Sequence, residues 1–176
     1  TKNKMKFEVR NEILLNLGIF SLLIAIWSLD QCGFMQFLVP DGRTLYYIDF
    51  FSFLLFPIPF TFLIHDICKS KYRKGVMCLS ILFMVNIALE VILQCAGIID
   101  IFQLLSVTHI LMMFSVIYTF IIIHYEAVKL ENRAAREFKY PVYIIMTFGV
   151  MEMLMYYIRD FKKTSIFLPL GTLIFI

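Results

Sequence analysis

The chain has 176 residues, 61% hydrophobic and only 16% charged, with a formal net charge of +3. Ordinary soluble domains are roughly 45–50% apolar and about 25% charged. So much apolar surface does not fit inside one water-soluble core, which excludes an ordinary soluble domain and predicts an integral membrane protein.

Taken in chain order, the basic opening TKNKMKFEVR precedes a span-length apolar run without a small-residue cleavage site, so it is not a signal peptide. Apolar runs then predict complete spans at about 13–29, 45–65, 76–98, 101–124 and 140–158, and a partial one from 165 to 176. The last run, SIFLPLGTLIFI, is shorter than the roughly 20 residues a span needs. With Thr1 in place of an initiator Met, it predicts a fragment of a longer chain. The fold class is therefore all-α: a polytopic transmembrane helix bundle of five complete spans plus one partial C-terminal span. Between the first two spans, DQCGFMQFLVPDGRT is too short and broken to cross. Its Phe34, Met35, Phe37, Leu38 and Val39 suit an interfacial half-helix.

Lysine and arginine set the orientation. Alternate numbering puts Lys2, Lys4, Lys6, Arg10, Lys69, Lys71, Arg73, Lys74, Lys129, Arg133, Arg136 and Lys139 on one side. Arg43, Arg159, Lys162 and Lys163 fall on the other, twelve against four of the sixteen basic residues. The positive-inside rule then places the N-terminus in the cytoplasm. The run KLENRAAREFK is rich in helix formers and is expected to continue the fourth span as a short cytoplasmic helix. Its charges form a solvated face or a contact with anionic lipid or a cytoplasmic domain. No basic patch with interleaved aromatics lies outside the spans, which speaks against nucleic acid.

Chemistry is read as much from absences. Every lysine lies outside the spans, so a retinal Schiff base has no anchor. No H-E-x-x-H, no G-x-S-x-G and no pair of intramembrane aspartates occurs, so no catalytic residue, metal ligand or cofactor is expected. Cys32, Cys68, Cys78 and Cys95 form no C-x-x-C pair and read as small packing residues. Whether Cys32 and Cys95, both near the outer side, are bridged is not readable from sequence.

Polar groups inside the spans concentrate in the outer half. Asp49 lies near the outer end of the second span. Asn86, Glu90 and Gln94 are spaced by four and share a stripe on the third. Gln103, Ser106 and His109 open the fourth, and Glu152 with Tyr156 lies near the outer end of the fifth. The inner halves are cleaner: Asn16, Thr61 and Asn86 are the main polar residues there, with His65 and His124 near the inner boundary. Two readings stay open: an outer polar cavity, with Glu90 or Glu152 paired to His109, or hydrogen bonds that only join helices. Pro57 and Pro59 interrupt the second span below this layer. They free the carbonyls of Phe53 and Leu55, for which Ser52 and Thr61 are local donors, and predict a kink or hinge that helps shape the cavity.

The runs IWSLDQCGFMQFL, YYIDFFSFLLFPIPFTFLIHDIC, VILQCAGIIDIFQLLSVTHILMMFS and LGTLIFI resemble the membrane region of bacterial seven-transmembrane receptors with diverse intracellular signalling modules. FFSFLLFPIP and LSVTHI carry most of the likeness, which is to versions that precede a diguanylate cyclase (GGDEF) domain. The resemblance implies one further span before residue 1 and a seventh beginning near the C-terminus. It also implies a cyclic di-GMP output domain in the cytoplasm and residence in the bacterial plasma membrane. It fixes no ligand. The expected function is a module that passes a small-molecule or extracytoplasmic signal to that output domain, the bilayer and a homodimer mate being further partners. The rival expectation is a transporter or permease component with a substrate site in the outer half, and a third is a passive anchor.

Overall fold

A computed structural model describes residues 2–158 and 167–175, with side chains at 11–158 and 167–174. The helices are α1 (Lys2–Gln31), α2 (Gly42–Leu55), α3 (Pro57–Ile67), α4 (Arg73–Cys95), α5 (Ile101–Val128), α6 (Arg133–Ile158) and α7 (Phe167–Phe175). A short 3-10 helix, Phe34–Phe37, lies between α1 and α2, and no strand occurs among the described residues. Among the described residues, five stretches are long and apolar enough to cross a membrane: Asn11–Gln31, Gly42–Ile67, Arg73–Cys95, Ile101–Val128 and Arg133–Ile158. They match the five predicted spans in order. Of the predicted sixth segment, α7 covers nine residues, and 165, 166 and 176 lie outside the described residues.

Two boundaries differ from expectation for one reason. α1 begins at Lys2 and α6 at Arg133, well before their apolar runs, because Lys, Arg and Glu extend a helix readily once one is nucleated. KLENRAAREFK therefore does not continue the fourth span. α5 stops at Val128, Glu131 takes φ +48°, and the rest of the run is the start of α6.

Packing neighbours close a ring. α1 lies against α3, α3 against α4, α4 against α5, α5 against α6, α6 against α7, and α7 returns to α1; α2 packs on α1 beside α3. The α2–α3 stretch sits innermost, half of its apolar window being buried against 17% for α1. Outward-facing apolar residues are plentiful: Leu15, Leu22, Ile92, Phe114 and Ile121 are each 60–63% exposed. Such a belt suits lipid and would be an aggregation hazard in water. We call the end carrying the α3–α4 and α5–α6 turns, with Lys69, Lys71, Lys74 and Lys129, the basic end.

At the opposite end, carboxylates start two helices. Asp41 accepts the N–H groups of Arg43 (3.4 Å) and Thr44 (3.0 Å) and the Thr44 hydroxyl (2.6 Å). These donors, the hydroxyl foremost, hold its pKa below the ordinary 3.8. Asp100 accepts from Phe102 N–H (2.8 Å) at the start of α5 and from the Tyr46 hydroxyl, tying α2 to the α4–α5 turn. Phe34, Phe37 and Leu38 are exposed on the 3-10 segment, the apolar projection expected of an interfacial half-helix.

The two prolines do not break the second span outright. Phe56, between α2 and α3, keeps helical dihedrals (φ −63°, ψ −26°), and Pro57 is the first residue of α3. There the missing N–H is one the first turn would have left without a partner inside the new helix. The hydroxyls expected to serve the freed carbonyls act elsewhere. Ser52 Oγ sits 2.6 Å from the Ile48 carbonyl oxygen, and Thr61 Oγ1 donates to Ile58 O at 2.8 Å. Toward the basic end from this junction, Ser80 Oγ donates to Thr61 Oγ1 (2.7 Å) and fastens α4 to α3.

Candidate functional site

Inside the ring, between its middle and the end opposite the basic one, lies a cavity of about 170 Å³. Every span-length stretch contributes to its wall, and Leu168 of α7 completes it. α1 supplies Phe20, Trp27 and Gln31; α2 and α3 supply Asp49, Phe50, Phe53, Pro57 and Phe60, with Phe56 at their junction. Phe83 comes from α4, His109 and Ser115 from α5, Gly149, Glu152 and Tyr156 from α6. Pro57, at the junction of α2 and α3, lines the cavity, while Pro59 is buried and does not.

Of the seven outer-layer residues expected to cluster, Asp49, His109, Glu152 and Tyr156 come together here. Asp49 accepts a hydrogen bond from Gln31 Nε2 at 2.7 Å, which joins α2 to α1. The His109 ring lies edge-on to Phe53 (5.5 Å between centroids) and Tyr156 (5.1 Å), and its Nδ1 is 3.1 Å from the Tyr157 hydroxyl. Neither glutamate is its hydrogen-bond partner. Glu152 Oε2 instead accepts the N–H groups of Phe167 (2.8 Å) and Leu168 (3.2 Å) and so caps α7.

Glu90, Gln94 and Gln103 do not line the cavity. The stripe of Asn86, Glu90 and Gln94 exists, but it faces α5. Glu90 Oε1 accepts from Thr108 Oγ1 (2.5 Å) and Asn86 Nδ2 (2.7 Å), while its buried Oε2 has no hydrogen-bond partner among the described residues. Gln94 Oε1 accepts from Ile101 N–H (2.8 Å) at the α5 start. Gln103 and Ser106 are exposed on the outer face of α5. Helical spacing shows which residues share a face; it does not show which neighbour that face meets. Cys32 and Cys95 are both free thiols and exposed.

Two features were missed from sequence. Gln31 was assigned to the loop after the first span, yet α1 runs through it and presents it to Asp49. The aromatic wall was the second: Trp27 lies 5.5 Å from Phe53 and 6.4 Å from Phe56, and Phe20 lies 6.1 Å from Phe56. Nineteen phenylalanines scattered along a membrane chain give no signal of which ones converge.

At the basic end a carboxylate plays a different part. Glu126, fully buried, accepts on Oε1 from the N–H groups of Lys69 (3.0 Å) and Ser70 (2.6 Å) and on Oε2 from Asn132 Nδ2 (2.9 Å). Asn132 Nδ2 also lies 2.9 Å from the Ile67 carbonyl oxygen. Together they staple the α3–α4 turn to the α5–α6 turn. Between staple and cavity, Leu63, Ile64, Ile67, Ile122 and Ile123 are all buried.

No family model, curated protein or solved structure matches the chain.

Proposed function

We propose that this chain is the transmembrane sensing module of a bacterial receptor, seated in the plasma membrane with its N-terminus and basic end in the cytoplasm. Occupancy of the cavity shifts the packing of the helices around it. The shift reaches a cytoplasmic output domain, which the family resemblance makes a diguanylate cyclase, through the span that α7 begins. One observation carries the reading: a partly polar cavity is walled by all five span-length stretches and by α7. A ligand there touches every element of the ring, so states that differ in helix packing differ in affinity for it. The transporter reading needs a polar path onward to the basic end, and the apolar layer from Leu63 to Ile123 supports sensing over it.

Filling the cavity from within tests this. Ser115 is on its wall, and Ser115→Phe places a ring where a ligand would sit. Spin labels at the exposed positions Asn11 and Arg136, in a cysteine-free background, report the spacing of α1 and α6 at the basic end. The expected result is a shifted distance distribution in lipid nanodiscs. An identical distribution in variant and parent sides with the passive anchor.

A further inference from the structure

We infer that the turn between α3 and α4 binds the phosphate headgroup of an anionic phospholipid, with an acyl chain laid along the outward face of α4. The inference needs a bilayer around the bundle and is independent of the sensing role.

The turn is held in shape by the protein itself. Glu126 accepts the N–H groups of Lys69 and Ser70, and the Tyr118 hydroxyl donates to the Tyr72 carbonyl, so three backbone groups are tied to α5. A backbone already fixed lowers the ordering cost of binding. Lys69, Lys71, Arg73 and Lys74 line an open pocket at this turn, beside His65 and Ser70. All four cations are exposed.

Charge selects the headgroup. Residues 66–75 carry these four cations and one acid, Asp66. Asp66 is not on the pocket wall, and its two oxygens meet Asn16 Nδ2 (3.1 Å) and His65 Nδ1 (3.2 Å). Arg73 Nε donates to His65 Nε2 at 3.0 Å, which steadies the guanidinium at the pocket. Among the described residues, no carboxylate forms an ion pair with Lys69, Lys71, Arg73 or Lys74, whereas at the α5–α6 turn Arg133 is paired with Glu137 at 2.8 Å. By sequence, the stretch 2–10, whose side chains lie outside the described residues, holds four basic residues and one acidic, so it adds no negative balance. Lysine and arginine together make strong hydrogen bonds to phosphate oxygens, and each such cation near an anionic leaflet contributes about 1 kcal/mol.

The surface beside the pocket selects a lipid over a soluble phosphate. Lys74, Met77, Ile81 and Val85 follow one face of α4, and all four are exposed. Met77 also lines the pocket. The cations therefore pass without a break into an apolar strip, the same order of groups as in a phospholipid.

Brominated lipids test this by quenching tryptophan. In a Trp27→Phe background, Ile81→Trp places the fluorophore on the strip, and Ile92→Trp places it at the exposed far end of the same helix. Phosphatidylcholine nanodiscs carry dibromo-acyl phosphatidylglycerol or dibromo-acyl phosphatidylcholine at equal mole fraction. Phosphatidylglycerol is expected to be preferred at the Ile81 position by at least about fivefold, the effect of one cation, and not at the Ile92 position. Lys71→Gln combined with Lys74→Gln is expected to bring the preference close to none. Equal quenching by the two lipids at the Ile81 position, the same preference at the Ile92 position, or a preference unchanged by the lysine substitutions overturns the inference. Loss of the preference in millimolar inorganic phosphate at constant ionic strength assigns the pocket to free phosphate and overturns the lipid. The unmodified chain, released from nanodiscs holding equal amounts of both lipids, should retain phosphatidylglycerol in excess in native mass spectrometry. Equal retention there overturns the inference without any variant having to fold.

Discussion

Asp49 and Glu126 are both buried carboxylates in a bundle built for lipid, and they stand in opposite surroundings. Around Glu126, two backbone N–H groups and the Asn132 amide engage both oxygens, and a close-packed apolar layer separates it from the bundle centre. Around Asp49, a side-chain amide engages one oxygen at the edge of open space lined by rings. A carboxylate saturated by backbone donors fixes two turns in one geometry. The other carboxylate stands on the wall of a cavity and joins two helices side chain to side chain. Burial alone therefore does not tell the two apart; their surroundings do.

The sharpest way to break this comparison is Glu126→Ala. It strands donors from Lys69, Ser70 and Asn132 in a buried place and is expected to cost on the order of 3 kcal/mol. Denaturant titration in mixed micelles measures it, and Asp49→Ala under the same conditions should cost clearly less. If the two lose equal stability, the division into staple and site fails.

Next in size is Gly75→Ala, also at the basic end. An added Cβ would overlap the Tyr118 hydroxyl oxygen. That hydroxyl donates to the Tyr72 carbonyl at 2.8 Å, so the ring must move and the bond is lost. A loss of about 2 kcal/mol is expected from overpacking, against little change for Gly149→Ala on the cavity wall, where the new Cβ meets only Leu168 Cδ1 at 3.6 Å. The same titration compares them.

Glu90→Gln tests an intermediate case. One oxygen of Glu90 accepts two bonds and the other has no hydrogen-bond partner among the described residues. An amide keeps the first oxygen, so a change under about 1 kcal/mol is expected in the same titration. A loss well above that would mean that the second oxygen is engaged as well.

The smallest effect belongs to Asp41. Asp41→Ala should speed amide exchange at Arg43 and Thr44, the donors it caps, without loosening the bundle. Its lowered pKa means that folding favours the ionised form. The cap is therefore present above about pH 4 and lost as the pH falls through the folded value. Exchange at the α2 start, corrected for intrinsic rate, should follow that direction.

Span number and order were legible because apolar runs of span length have few other uses in a chain of mean hydropathy +0.83. The ends were less so, since charged helix formers carried α1 and α6 past their apolar cores. The outer polar layer was half legible: Asp49, His109, Glu152 and Tyr156 converge, whereas Glu90 and Gln94 turn toward α5 and Gln103 turns outward. In a helix apolar on nearly every face, hydrophobic periodicity does not choose the inward one. Glu126 was hidden for a related reason. It follows a long apolar run and precedes a charged one, so nothing in the sequence singles it out, and the backbone donors that engage it come from a turn more than fifty residues away.

Gly171 closes the α6–α7 crossing. A Cβ on it would stand 2.8 Å from Phe148 Cβ, so the Phe148 side chain lies directly against the Gly171 backbone. Glu152 pins the start of α7 to the same partner. α6 and α7 are therefore clasped at two points, one at the start of α7 and one at its glycine, while the seam where α7 returns to α1 is much the slighter contact.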